Sequence, residues 1–149
     1  MLLKNKNDVE KVDVVIVEDD DSVRSAIQLL LTTRDLTSLS FKSAEEASET
    51  LTQTIELSAN RTPSAECKGK LPRFIIDYGL PGKNGIELAQ KLLSMGVPMQ
   101  SITIVSGQSK TWISRQHAVA SGIRIVQKPF SLFEILDDSD LESNVNVQS

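Results

Sequence analysis

Carboxylates stand at the ends of short apolar runs at two distant places in this sequence. Glu18 and Asp19 follow VVIV, and Asp77 follows FII. A hydroxyl, Ser106, closes the run SITIVS, and an ammonium, Lys128, comes just after GIRIV. Two carboxylates about 4 Å apart repel by roughly 4 kcal/mol at an effective dielectric of about 20, so three in one cavity require a compensating cation. Every ligand on offer is an oxygen, which selects a hard ion. Magnesium takes one or two carboxylates, waters and a phosphate oxygen, and manganese tolerates the same donors. Zinc is disfavoured because no Cys or His lies near these residues. Phosphorylating one of the carboxylates would set a dianion beside the others, an arrangement that needs both the metal and the ammonium of Lys128.

These residues share a cavity only if the surrounding elements bring them there. Asp13–Glu18 contains a β-branched run suited to a strand buried on both faces. Val23, Ile27, Leu30 and Leu31 then fall on one helical face, with Asp20, Asp21 or Ser22 available as its N-cap. A weakly alternating strand spans Leu36–Phe41, and Ser43 with Glu46 forms a capping box ahead of Ala47, Leu51 and Ile55. Phe74, Ile75 and Ile76 make a third strand, LPGKNG a turn, and Ile86, Ala89, Leu92 and Leu93 a helix ended by Gly96 and Pro98. SITIVS is a fourth strand, Ser109–Ser121 a polar helix, GIRIV a fifth strand, and Ser131–Asp138 a last, acidic helix. Strands that alternate with helices must run parallel with right-handed crossovers, which predicts an α/β, doubly wound, three-layer fold. In such sheets the functional crevice lies beyond the carboxyl ends of the strands, where all five residues fall.

With 149 residues the chain suits one domain. The boundaries read as a flexible arm at 1–12, the folded domain at 13–138 and a polar tail at 139–149. Its 16 basic and 20 acidic residues give a net charge of -4, which provides no footprint for nucleic acid. The apolar runs are too short for a secretory leader or a membrane span, so the expected location is the cytoplasm. Cys67 lies in the polar stretch ANRTPSAECKGKLP, a loop longer than usual for such units, and reads as a loop thiol.

The segments VVIVEDD, DYGLPGKNG, TIVSG and KPF, in that order, resemble the signature segments of bacterial response-regulator receiver domains, over nearly the whole chain. The resemblance implies a flavodoxin-like (βα)5 sheet of order 2-1-3-4-5 in a stand-alone, chemotaxis-regulator-like receiver. It makes Asp77 the nucleophile that takes a phosphoryl group from a histidine kinase or a histidine phosphotransfer protein. Asp19 would bind magnesium directly, Glu18 mainly through water, and the Gly79 carbonyl would complete the protein ligands. Lys128 becomes the ion-pair partner of the phosphoryl group, often ahead of a cis peptide to Pro129, and Ser106 the hydroxyl that moves onto a phosphate oxygen. Such a protein catalyses its own phosphorylation and dephosphorylation instead of turning over a substrate. Its output would be contact with a downstream effector protein, and its oligomeric state is left open. The sequence departs from the family at Ile125, where many receivers carry an aromatic residue.

Two other readings compete. Asp19, Asp21 and Val23 fit the DxDxV opening of haloacid-dehalogenase-like phosphatases, although no later acidic loop completes that pattern and Asp77 would be left unexplained. A receiver-shaped binding module that is never phosphorylated is the other. Each residue alone also has a plain role: EDDD as a helix cap, Asp77 as a turn cap, Ser106 as a strand-end hydroxyl and Lys128 as a solvated lysine. His117, the only histidine, falls within the expected fourth helix and has a surface or partly packed role; Trp112 on the same helix is either a core anchor or an exposed contact.

Overall fold

A computed structural model describes residues 12–59, 72–118, 122–130 and 132–135. The long loop with Cys67, the C-terminal tail and nearly all of the N-terminal arm lie outside the described residues. Strands β1 (Val14–Val17), β2 (Ser38–Phe41), β3 (Arg73–Asp77), β4 (Ile102–Ser106) and β5 (Arg124–Gln127) form one sheet of order β2-β1-β3-β4-β5. Every pairing is parallel. Helices α1 (Asp21–Thr32), α2 (Ala44–Ala59), α3 (Gly85–Ser94), α4 (Lys110–Gln116) and α5 (Leu132–Ile135) alternate with the strands, and a 3-10 turn (Met99–Ser101) precedes β4. This is the expected doubly wound, flavodoxin-like fold.

The two-residue period of the strands builds two cores from one sheet. Val15, Val17, Phe74, Ile76, Ile102 and Ile104 pack with Ala47 and Leu51 of α2, Ile86 and Leu92 of α3, and Ile113 of α4. The alternate positions Val14, Ile16, Ile75, Val105 and Val126 pack with Ile27 and Leu31 of α1 and Ile135 of α5. β1 is buried along its whole length because both of its faces are covered, and for that reason it reads as a continuous apolar run.

Side-chain caps fix where the helices start. Asp20 accepts the Val23 N–H at 3.0 Å, Asn84 the Glu87 N–H at 3.0 Å, and Ser109 the Trp112 N–H at 3.1 Å. Ser43 Oγ accepts the Glu46 N–H at 3.1 Å, the cap that the Ser43–Glu46 spacing predicts. α3 stops at Gly96, whose φ of +95° lets the N–H groups of Gly96 and Val97 turn back to the carbonyls of Leu93 and Leu92.

The edges of two elements differ from expectation. α4 ends at Gln116, short of the predicted Ser121, because His117 leaves the helix with an extended backbone at φ -139° and ψ 107°. β5 starts at Arg124 and runs through Gln127, so it delivers Lys128 one residue past its end. Of the predicted last helix, only Leu132–Ile135 is described.

Parallel register levels the strand ends. Val17 pairs with Ile76, Asp77 with Val105, and Ser106 with Gln127, so Glu18 arrives beside Asp77 and Lys128 just beyond Ser106. Gly85 protects this corner: a Cβ there would lie 2.4 Å from the Asp77 carbonyl oxygen and 3.0 Å from Ile76 Cγ2. Replacing Gly85 with Ala should therefore lower stability by about 1–3 kcal/mol through overpacking. Ala at Gly79, where the added Cβ meets open space, should change it by less than about 1 kcal/mol. Urea denaturation of the two variants checks the contrast.

Candidate functional site

The cavity at the carboxyl ends of β1, β3 and β5 gathers four of the residues picked out from the sequence. Carboxylate oxygens of Glu18, Asp19 and Asp77 all lie within 4.8 Å of one another. Glu18 and Asp77 are buried, at 1% and 6% exposure, and Asp19 is exposed at the rim. Lys128 Nζ stands 3.2 Å from Glu18 Oε1 and 3.2 Å from Asp77 Oδ1, donating to both. The Lys128–Pro129 peptide bond is cis, and the Lys128 N–H donates to the Ser106 carbonyl at 2.7 Å.

Each group is held by hydrogen bonds with neighbouring strands and with the segments that follow its own strand. The other Glu18 oxygen, Oε2, accepts the Asp20 N–H at 3.2 Å, and the Glu18 N–H donates to the Phe41 carbonyl at 3.1 Å. Arg24 donates from Nη1 to the Glu18 carbonyl at 2.9 Å while Nη2 is paired with Asp21. The segment just after Asp77 is pinned by the Tyr78 N–H, which donates to the Val105 carbonyl at 2.8 Å, and by the Gly85 N–H, which donates to the Tyr78 carbonyl at 2.9 Å.

Ser106 is buried at the end of β4, where its Oγ accepts the Gln108 N–H at 2.8 Å. Its hydroxyl thus serves the β4–α4 turn in this arrangement. Gly79 lies in the turn two residues after Asp77. Ile125 is half-buried beside Ile104 and packs on the α2/α3/α4 side of the sheet.

Burial pushes the Glu18 carboxyl above its ordinary value, the Asp77 charge adds to the rise, and the Asp20 N–H and Lys128 only partly offset them. Lys128 loses some solvation on burial, but the Asp77 and Glu18 charges outweigh that loss and raise its value. The ammonium therefore stays protonated, and one positive charge faces two buried acids.

The donor set fits a hard divalent cation: carboxylate oxygens close together, with neither sulfur nor imidazole in the cluster. Asp21 stands apart from it, tied to Arg24. The DxDxV reading, which needs Asp19 and Asp21 to act together, loses its second carboxylate.

Two contacts had no visible signal in the sequence. Arg24 reaches back from α1 to the Glu18 carbonyl, and Tyr78, the residue after Asp77, bonds through Oη to His117 Nε2 at 2.9 Å. His117 thus packs on the side chain of the residue after Asp77, contrary to its expected place within a longer helix. Among the described residues, no helix is long and apolar enough to cross a membrane.

The profile of the family described as response regulator receiver domain matches residues 14–139. No curated protein sequence matches the chain. Among solved structures, similar folds include the response regulator protein TrrA from Thermotoga maritima, in complex with Mg(2+)-BeF. It is 18% identical, with a TM-score of 0.61 over 91% of this chain and 97% of that one. A response regulator receiver protein from Burkholderia phymatum is 25% identical, with a TM-score of 0.57 over 90% of each chain. A Francisella response regulator receiver domain is 18% identical, with a TM-score of 0.58 over 92% of this chain and 95% of that one.

The charge arrangement leads to two predictions for protein held in a chelator. Removing the Lys128 ammonium with Lys128→Met leaves two buried carboxylates facing each other. It should cost about 1–3 kcal/mol, less than a fully buried pair because Lys128 is partly exposed. Adding Glu18→Gln to that variant should recover part of the loss, as a denaturation double-mutant cycle would measure. Glu18 binds its proton more tightly in the folded chain than in the unfolded one. Its contribution to stability is therefore full below the ordinary value of 4.5 and is lost as pH rises through the higher folded value. The single variant Glu18→Gln should exceed the wild type in stability at neutral pH, with the gap closing as pH falls below 4.5, and melts across that range read it out.

Proposed function

The chain belongs to the response regulator receiver domain family, and on that premise we propose that it accepts a phosphoryl group on Asp77 from a histidine kinase or a histidine phosphotransfer protein. The observation that carries the reading is the position of Lys128 Nζ, 3.2 Å from both Glu18 and Asp77, across from three carboxylates within 4.8 Å of one another.

In this reading an Asp77 carboxylate oxygen attacks the phosphorus of a phosphohistidine. A P–O bond forms, the P–N bond breaks, and the departing imidazole nitrogen keeps the bonding pair and takes a proton from solvent. Asp19, Asp77, the Gly79 carbonyl and, mainly through water, Glu18 would hold magnesium, or manganese by the same donors. When bound, the ion supplies the positive charge that neutralises the phosphoryl oxygens. Lys128 moves its interaction from the Asp77 carboxylate to the incoming oxygens, an exchange its reach to both acids already permits. Glu18, held by Asp20 and Arg24, keeps its carboxylate at the cavity throughout. Attack of water on the phosphorus later breaks the P–O bond and returns Asp77 to its carboxylate.

Ser106 would leave the Gln108 N–H for a phosphoryl oxygen. That loosens the β4–α4 turn and shifts the balance between two arrangements of the surface made by α4, β5 and α5. Output then passes to an effector protein that binds this surface, without nucleic acid or membrane contact by this chain. A cytoplasmic location goes with this reading.

Incubation with a small phosphodonor and magnesium, followed by intact mass, tests the assignment. One phosphoryl group is expected on the wild type and none on Asp77→Asn, with the rate for Lys128→Ala lower by about 10²-fold. An unmodified wild type, or modification that survives Asp77→Asn, overturns it.

A further inference from the structure

The chain has one Trp, one Tyr and one His, and the fold brings all three together around Tyr78, the residue after Asp77. The Tyr78 ring meets Trp112 edge to face, with centroids 6.1 Å apart and planes at 89°. It meets His117 at 5.6 Å and 67°, and Tyr78 Oη shares a 2.9 Å hydrogen bond with His117 Nε2. Tyr78 and His117 are half-buried, while Trp112 is 41% exposed on α4.

α4 is consequently tied at its start to the turn that Ser106 braces and at its end to Tyr78, the residue after Asp77. At its start, the chain runs from Ser106 through Gly107 and Gln108 to the cap Ser109, with Ser106 Oγ bonded to the Gln108 N–H. At its end, His117 donates its backbone N–H to the Ile113 carbonyl and ties its ring to the residue next to Asp77. The Tyr78 backbone has no slack, because its N–H and carbonyl are both committed, to Val105 and Gly85. A displacement at Asp77 or Ser106 thus meets a short helix of seven residues fixed at two points.

We propose that the Tyr78–His117 hydrogen bond is the latch that holds α4 in its resting position, so that phosphorylation of Asp77 and movement of α4 are coupled through it. This rests on the phosphoacceptor reading and adds the route by which the site controls the surface. A hydrogen bond between two side chains on separate elements is made or broken as a unit, which suits a two-state element better than the surrounding apolar packing does. Coupling is reciprocal, so a chain without the latch should already populate the displaced α4 before any phosphoryl group arrives.

Trp112, the single tryptophan, reports the position of α4 directly. In the full chain, phosphorylation of the wild type should change Trp112 emission. Tyr78→Phe, which keeps the ring and removes only the hydroxyl, and His117→Ala should reach the same extent of phosphorylation by intact mass. Both should already show the displaced spectrum when unphosphorylated, with the phosphorylation-dependent change reduced at least about 3-fold. His117→Gln, whose Nε2 can reach the Tyr78 hydroxyl, should restore the change. The latch is overturned if emission in the wild type does not respond to phosphorylation, if both disruptive variants respond as fully as the wild type, or if His117→Gln fails to rescue. Should His117→Ala fail to fold, Tyr78→Phe alone decides between these outcomes. A wild type that takes no phosphoryl group overturns the phosphoacceptor reading and the latch with it. A normally phosphorylated Tyr78→Phe with an unaltered emission response overturns the latch alone.

Discussion

Two carboxylates buried side by side are an electrostatic fault that a fold keeps only when something opposite compensates. Glu18 and Asp77 lie at the ends of adjacent parallel strands, where the register leaves no way to part them. The Lys128 ammonium, delivered from β5, bridges both at 3.2 Å. One positive charge faces this pair, with Asp19 at the rim, and the Glu18 carboxyl is pushed above its ordinary value first by burial and then by the Asp77 charge. Acids gathered in this way would be relieved by a further cation.

Much of the rest of the molecule serves to hold those charges still. Double-sided burial of β1, β3 and β4 makes the strand ends rigid, because a one-residue slip would exchange the two apolar faces wholesale. The caps at Asp20, Asn84 and Ser109 start the three helices that leave the site, so the turns carrying Glu18, Asp77 and Ser106 are each closed by a side-chain hydrogen bond. Gly85 lets α3 approach the Asp77 carbonyl more closely than any side chain would allow. On the phosphoacceptor reading, the same rigidity would pass a small change at Asp77 or Ser106 on to α4, whose two ends are tied to the neighbours of those residues.

The fold and the charged set were readable early for a common reason. A parallel strand buried on both faces must be apolar throughout and must end where polarity begins, so VVIV-E and FII-D announce both the strand and the side chain it presents. Asp77, Glu18 and Asp19 stand at the ends of such runs, while Lys128 follows the edge strand β5, which is exposed at Arg124 and Gln127. α4 was harder. Its apolar period is weak, and its end is set by His117, which leaves the helix and bonds a tyrosine 39 residues away. Local pattern extends a helix until a breaker appears, and here the terminating residue is no breaker by type.

By itself, then, the sequence determined the number and order of elements, the parallel sheet, and the identity of the charges at its carboxyl edge. All of these follow from hydrophobic period and from the crossover rule, which act locally along the chain. Only the tertiary structure decided that Lys128 is shared between two acids, that Arg24 braces the Glu18 carbonyl, and that Tyr78, Trp112 and His117 form one cluster. These are contacts between side chains far apart in the chain. Their geometry depends on strand register and helix packing, and no spacing between residues encodes it.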